Sequence, residues 1–155
     1  MPLTKGPVFR HILVPTDGSD LSDRAASTAL ALAKSMGARV TALHVVPPYA
    51  PPLPVMEVGF TYAMTEDEYE RAVRTQAGEM LARVAEQAAQ SGVDCDTRVV
   101  TDPAPWNAIV DEARKSGCDA VVMASHGRRG LAALVLGSET QKVLTHASVP
   151  VLVTR

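Results

Sequence analysis

The chain has 155 residues, 46% hydrophobic and 21% charged, with a formal net charge of -2. That balance fits one globular domain with a single core and excludes a disordered chain. It gives no electrostatic basis for binding nucleic acid or an anionic membrane, and no apolar stretch approaches the ~20 residues that span a bilayer.

The opening stretch MPLTKGPVFRH carries no signal-peptide apolar region ahead of the first strand, so a cytosolic protein is expected. HILVPTD (11–17) is short and β-rich and reads as a buried strand. LSDRAASTALALAKSMG (21–37) follows as a helix, with Leu21, Ala25, Ala29, Leu32 and Met36 at helical spacing and Gly37 at its C-terminal stop. RVTALHVV (39–46) is the second strand. Residues 47–64 contain five prolines between Pro47 and Pro54, which excludes a helix or a central strand there. This loop also holds Tyr49, Phe60 and Tyr62, and reads equally as a lid, a subunit contact or a plain insertion.

TEDEYERAVRTQAGEMLARVAEQAAQSG (65–92) is a long helix, with Thr65 and Glu68 spaced as a capping box and Gly92 ending it. DCDTRVVT (94–101) alternates and reads as a strand. PAPWNAIVDEARKSG (103–117) is a helix with Trp106, Ile109, Val110 and Ala113 facing inward. DAVVMAS (119–125) is a fourth strand, SETQKVLTHAS (138–148) a short helix and VPVLVTR (149–155) a fifth strand. Strands that alternate with helices in this way predict an α/β domain: a parallel sheet, right-handed crossovers and helices on both faces. The two cysteines, Cys95 and Cys118, lie far apart and in no CxxC pair, so both are expected as reduced thiols.

Ligands of open α/β sheets sit outside the carboxyl ends of the strands, where strand order reverses. Two such ends carry unusual residues: VPTDGS (14–19) and SHGRRGLAALVLGSETQ (125–141). In the second, Ser138 and Gln141 have capping-box spacing, so Ser138 is expected to cap a helix. Gly127, Gly130 and Gly137 admit either simple turns or a ligand close to the backbone, and a helix N-terminus attracts phosphate. The apolar run 131–136 then reads as a packed bridge between two corners rather than as a strand. Asp17 suits a ribose or a phosphate-bridging metal ion, and equally an Asx-turn. His126, Arg128 and Arg129 suit a phosphate or a plain loop, and His44 reads as a core histidine with a satisfied ring. There is no P-loop, no GxSxG elbow and no HExxH, and no side chain stands out as a general base, which argues for binding over catalysis.

Together, HILVPTDGSDLSDRA, ALHVV and ASHGRRGLAALVLGSETQKVLTHASVPVLV resemble the universal stress protein family, over nearly the whole chain. Nucleotide-binding members carry Gly, two residues, Gly, nine residues, then Gly-Ser or Gly-Thr. Gly127 and Gly137-Ser138 fit that pattern, and Ala124 stands where its first glycine falls. The resemblance implies a five-stranded parallel sheet in the order 3-2-1-4-5, with ATP between the first and fourth strands. Pro15, Thr16 and Asp17 would lie along the nucleotide, with Asp17 facing Mg2+ or Mn2+. The backbone of Val45 would meet adenine near Met123. Gly127, Gly137, Ser138 and Glu139 would line the phosphates, with His126 close by and Ala124 and Thr140 among the binding positions. The resemblance also implies a homodimer through the terminal strand 149–155, which can pair into a tetramer, and a protein partner it does not name. The function implied is an ATP-binding, stress-responsive regulatory module; a dimeric adaptor without nucleotide and a slow ATPase are the alternatives.

Overall fold

The computed structural model describes residues 6, 8–51, 64–127 and 136–155. The chain runs β1 (His11–Pro15), α1 (Asp20–Met36), β2 (Arg39–Val46), α2 (Glu66–Ser91), β3 (Cys95–Thr101), α3 (Pro105–Lys115), β4 (Ala120–Ala124), α4 (Ser138–His146) and β5 (Val151–Thr154). All strands pair in parallel, in the order β3-β2-β1-β4-β5, as expected.

Each sheet face carries its own core. Ile12, Val14, Val40, Ala42, Ala120 and Val122 pack under α1 and α2. Leu13, Leu43, Val121 and Met123 point the other way, onto Ile109 and Ala113 of α3 and Val143 of α4. This is strand alternation applied to a sheet covered on both sides, which makes the central strands apolar on both faces. The helix α1 presents mostly small residues, Ala25, Ala26, Ala29 and Ala33, so it settles close to the sheet. Its most buried residues are shifted from the expected stripe: Ala26, Leu30 and Ala33 are buried, while Leu32 and Met36 are only partly so.

Local signals were obeyed at most element ends. The Thr65–Glu68 capping box forms on α2, and Gly37 and Gly92 close their helices in the left-handed conformation. Several boundaries differ, three of them at the site or the sheet edge. β1 stops at Pro15 rather than Asp17, because Gly18 (φ 76) turns the chain into α1. β5 is four residues rather than seven. The cap of α4 is Gly137, not Ser138, and no side chain bonds the helix start. Gly137 holds the extended cap conformation (φ -60, ψ 148), which leaves Ser138 helical, and the Gln141 side chain donates instead to Leu136 O at 2.9 Å. Of the passages singled out in the sequence, most of the proline-rich loop (52–63), Arg128, Arg129, Gly130 and the run 131–135 lie outside the described residues. No described helix is long and apolar enough to cross a membrane.

Both cysteines are free; Cys95 is half-buried and Cys118 buried. Burial raises both thiols, that of Cys118 to about 11, so neither is a reactive thiolate near neutrality.

At the opposite end of β1 from the strand's exit, His11 is 3% exposed. Its Nε2 meets Thr41 Oγ1 at 2.7 Å, and its Nδ1 is buried without a hydrogen-bond partner. Burial, then the Arg39 guanidinium, holds its pKa below the ordinary 6.5. Below pH 6.5 the unfolded chain therefore takes up a proton that the folded chain refuses. Stability contributed by this residue is complete above 6.5 and declines as pH falls toward the folded value. Urea unfolding between pH 7.5 and 5 should show this decline, at most about 1.4 kcal/mol per pH unit. His11→Gln should flatten it; an unchanged slope would remove His11 as its source.

Candidate functional site

The reversal of strand order falls at β1. Its crossover through α1 leads to β2 on one side, while β4 and β5 lie on the other. A crevice therefore opens above the carboxyl ends of β1 and β4, and both unusual passages of the sequence reach it.

The β1 exit is held by short-range bonds. Thr16 N donates to Leu43 O at 2.8 Å, which extends the β1–β2 pairing by one residue. The buried Thr16 hydroxyl meets Ser22 Oγ at 3.0 Å and accepts from Gly18 N at 3.2 Å. Asp17 forms the Asx-turn that its position allows, with Ser19 N donating to Oδ1 at 3.0 Å. Ser19 then caps α1 by accepting from Ser22 N at 3.3 Å. His44 has the satisfied ring expected of it but is only half-buried: it donates from Nδ1 to Thr16 O at 2.8 Å, so β2 props up the β1 turn.

The β4 exit is tied to α4. Gly137 N donates to Ser125 O at 2.9 Å, and the buried Thr140 hydroxyl reaches both Ala124 O (3.1 Å) and Ser125 O (3.2 Å). Ser125 N is bonded to Thr154 O, which docks the same residue on β5. Glycine allows the close approach where the pieces meet. A Cβ on Gly137 would lie 3.2 Å from Ser125 O and 3.5 Å from His126 Cα. A Cβ on Gly127 would lie 2.9 Å from Asp17 Oδ2, so the β4 loop sits directly against the β1 carboxylate. Ala124 is part of β4 and extended, so its backbone does not need a glycine.

Three polar features are left for a ligand. The first intrahelical bond of α4 is Gln141 N to Gly137 O, so the N–H groups of Ser138, Glu139 and Thr140 precede it. His126 spends Nδ1 on Ser125 Oγ at 3.0 Å, and its Nε2 is buried with no hydrogen-bond partner. The third feature is the backbone of Val45. In β2, Arg39 N and Leu43 O bond toward β1, while Val40 N and Val46 O bond toward β3. Strand parity therefore turns the N–H and C=O of Val45 toward β1, beyond Pro15, its last paired residue. The Val45 side chain packs on the same core face as buried Met123.

The structure thus brings Pro15, Thr16, Asp17, Val45, Met123, Ala124, His126, Gly127, Gly137, Ser138 and Thr140 to one end of the sheet. The side chain of Glu139 faces elsewhere: its Oε2 accepts from Trp106 N at 2.9 Å and its Oε1 lies 3.3 Å from Lys142 Nζ. Among the described residues no group of three or more His, Cys, Asp or Glu could hold a metal ion unaided. A separate groove of about 630 Å3 lies between α2 and β3, lined by Tyr49, Tyr69, Arg74 and Val99 among others. It opens beside the carboxyl ends of β2 and β3, at Val46 and Thr101, but away from the reversal of strand order, and we place the candidate site at the β1–β4 crevice.

The fold defines a doubly wound α/β domain, and this crevice is the candidate ligand site at its topological switch point. The chain belongs to the universal stress protein family, whose profile matches residues 9–155. It is 33% identical over 150 residues to a universal stress protein of Methanocaldococcus jannaschii, a match covering 96% of this chain and 83% of that one. Its structure is similar to that of the universal stress protein UspA from Lactobacillus plantarum, with a TM-score of 0.79, 27% identity and coverage of 94% and 97% of the two chains. A universal stress protein from Archaeoglobus fulgidus in complex with dAMP shares the fold, with a TM-score of 0.66, 20% identity and coverage of 96% and 99%.

Proposed function

We propose that this chain is an ATP-binding regulatory module of the cytoplasm, with the nucleotide held between the ends of β1 and β4. The observation that carries the reading is the first turn of α4, whose N–H groups at 138–140 have no backbone partner among the described residues, with Gly127 lying against Asp17 across the crevice. Aligned N–H groups at a helix start favour phosphate, and the absence of a Cβ at Gly127 and Gly137 leaves room for its approach. The orphaned Nε2 of His126 fits a phosphate oxygen as its missing acceptor. The N–H and C=O of Val45 suit the hydrogen-bonding edge of adenine, with the base beside Met123. Pro15, Thr16 and Asp17 follow the ribose side. Mg2+ is commonly held by one carboxylate, phosphate oxygens and water, and Asp17 would be that carboxylate. The dAMP complex of the related protein supports an adenine nucleotide as the ligand class.

The nucleotide-free adaptor has one residue in its favour, Ala124, where the family pattern places glycine. An extended alanine adds a methyl group without backbone strain, which leaves ATP binding as the preferred reading. A homodimer through β5 accompanies the proposal. This is an edge strand with Leu152 45% exposed, and pairing it would remove an open sheet edge. Equilibrium titration with ATP and magnesium should give saturable binding with a 1:1 stoichiometry per chain. No binding at millimolar ATP, and no nucleotide released on denaturing the purified protein, would sink the proposal.

A further inference from the structure

We infer that Glu139 is a positioning residue that aims the first turn of α4 by anchoring it to the start of α3; the inference rests on the nucleotide site proposed above. A carboxylate at the second position of a phosphate-binding helix presents a problem, because it competes with phosphate for the same positive helix end. The structure resolves this by turning the carboxylate sideways. Glu139 Oε2 accepts from Trp106 N at 2.9 Å, across 33 residues of sequence.

Trp106 N is one of the first N–H groups of α3, and that helix has no cap of its own. Its N-cap is Ala104, and no side chain bonds there from within the turn. Asp102 comes near but spends Oδ1 on Ala104 N at 2.7 Å and Oδ2 on the Asn107 side chain at 3.1 Å. Glu139 therefore serves as the missing N-terminal acceptor of α3, supplied by a different helix. Lys142 Nζ, 3.3 Å from Oε1, offsets the charge on the other oxygen.

The two helices are joined again about two turns further along α4. The Trp106 and His146 rings lie 4.6 Å apart at 37°, so α3 and α4 are fastened near both ends of α4. With Thr140 tied to β4, the segment 137–140 is fixed from two directions. Its N–H groups are thereby held in place before any anion arrives, and Glu139 contributes one of the two anchors.

The test compares Glu139→Ala and Glu139→Gln by calorimetric titration with ATP, AMP and adenosine, and follows the Trp106 amide signal by NMR. Glu139→Gln keeps a carbonyl acceptor for Trp106 N and removes the charge. Glu139→Ala removes both. If Glu139 positions the turn, Glu139→Ala weakens ATP and AMP by about fivefold to tenfold, the scale of one lost helix-capping bond. Adenosine binding stays unchanged, Glu139→Gln stays within about twofold of wild type, and the wild-type Trp106 amide shifts when ATP binds. If the carboxylate is only a repelling charge, both variants tighten ATP, which overturns the inference. Equal weakening of ATP and adenosine in Glu139→Ala, or no weakening, also overturns it. Failure of the wild-type protein to bind any of the three ligands would instead reject the nucleotide site itself.

Discussion

Gly137→Val is expected to abolish ATP binding, by about a hundredfold or more, while the chain still folds. The backbone at this residue (φ -60, ψ 148) is accessible to any amino acid, so strain in the main chain is not the reason. The cause is space. Gly137 is clamped to Ser125 O by its own N–H, and even a Cβ would stand 3.2 Å from that oxygen and 3.5 Å from His126 Cα. Neither neighbour is the tip of a flexible side chain, so the helix start must move away from the β4 exit. The branches of valine then occupy the approach to the N–H groups of residues 138–140. Replacing a glycine N-cap by valine costs about 1 kcal/mol of helix stability, which a domain of this size tolerates. Calorimetric titration with Mg-ATP and a thermal melt, run together, separate the two effects. Retained binding in a folded Gly137→Val would show that this turn does not receive the phosphates.

Leu13→Ala is expected to cost about 2–5 kcal/mol of folding stability. Leu13 lies in the central strand and is fully buried. It packs in the cluster with Leu43, Val121, Ile109 and Val143, so the cavity would be walled by two strands and two helices. Those walls are themselves paired in the sheet or fastened to each other, and little collapse is available to fill the space. The same strand carries Thr16 and Asp17 into the crevice, so the loss also loosens the site. A lowering of the melting temperature by roughly 5–15 °C would accord with this. A change below about 1 kcal/mol in urea unfolding would contradict the placement of Leu13 at the centre of the core.

Much of the architecture was legible because its signals are local. Strand β2 spans the expected residues 39–46, and the Thr65–Glu68 box and the two helix-ending glycines act within a few residues of themselves. Alternation of strands with helices then leaves few parallel topologies, and the family pattern points to the observed one. What the sequence does not show involves distant partners. Both glycine and serine are acceptable helix caps, so Gly137 and Ser138 cannot be ranked from the sequence around them. The deciding contact is Gly137 N on Ser125 O, twelve residues upstream. The satisfied ring expected of His44 is present, but its partner, Thr16 O, is 28 positions away and cannot be named from the sequence. Glu139 follows Gly137-Ser138 and keeps its N–H in the first turn of α4, while the packing of α3 against α4, which no local signal shows, turns its carboxylate to Trp106. Strand parity at Val45, by contrast, needs only the register of β2, and a sequence that fixes the strands nearly fixes that backbone edge as well.

The most direct test of the account is amide hydrogen exchange measured by mass spectrometry on the wild-type protein with and without saturating Mg-ATP. The crevice site predicts slowed exchange in segments covering 136–143, 15–19 and 44–46, with no comparable change along α2 and β3. ATP-dependent protection confined to the α2–β3 groove, or none at 136–143, would contradict it.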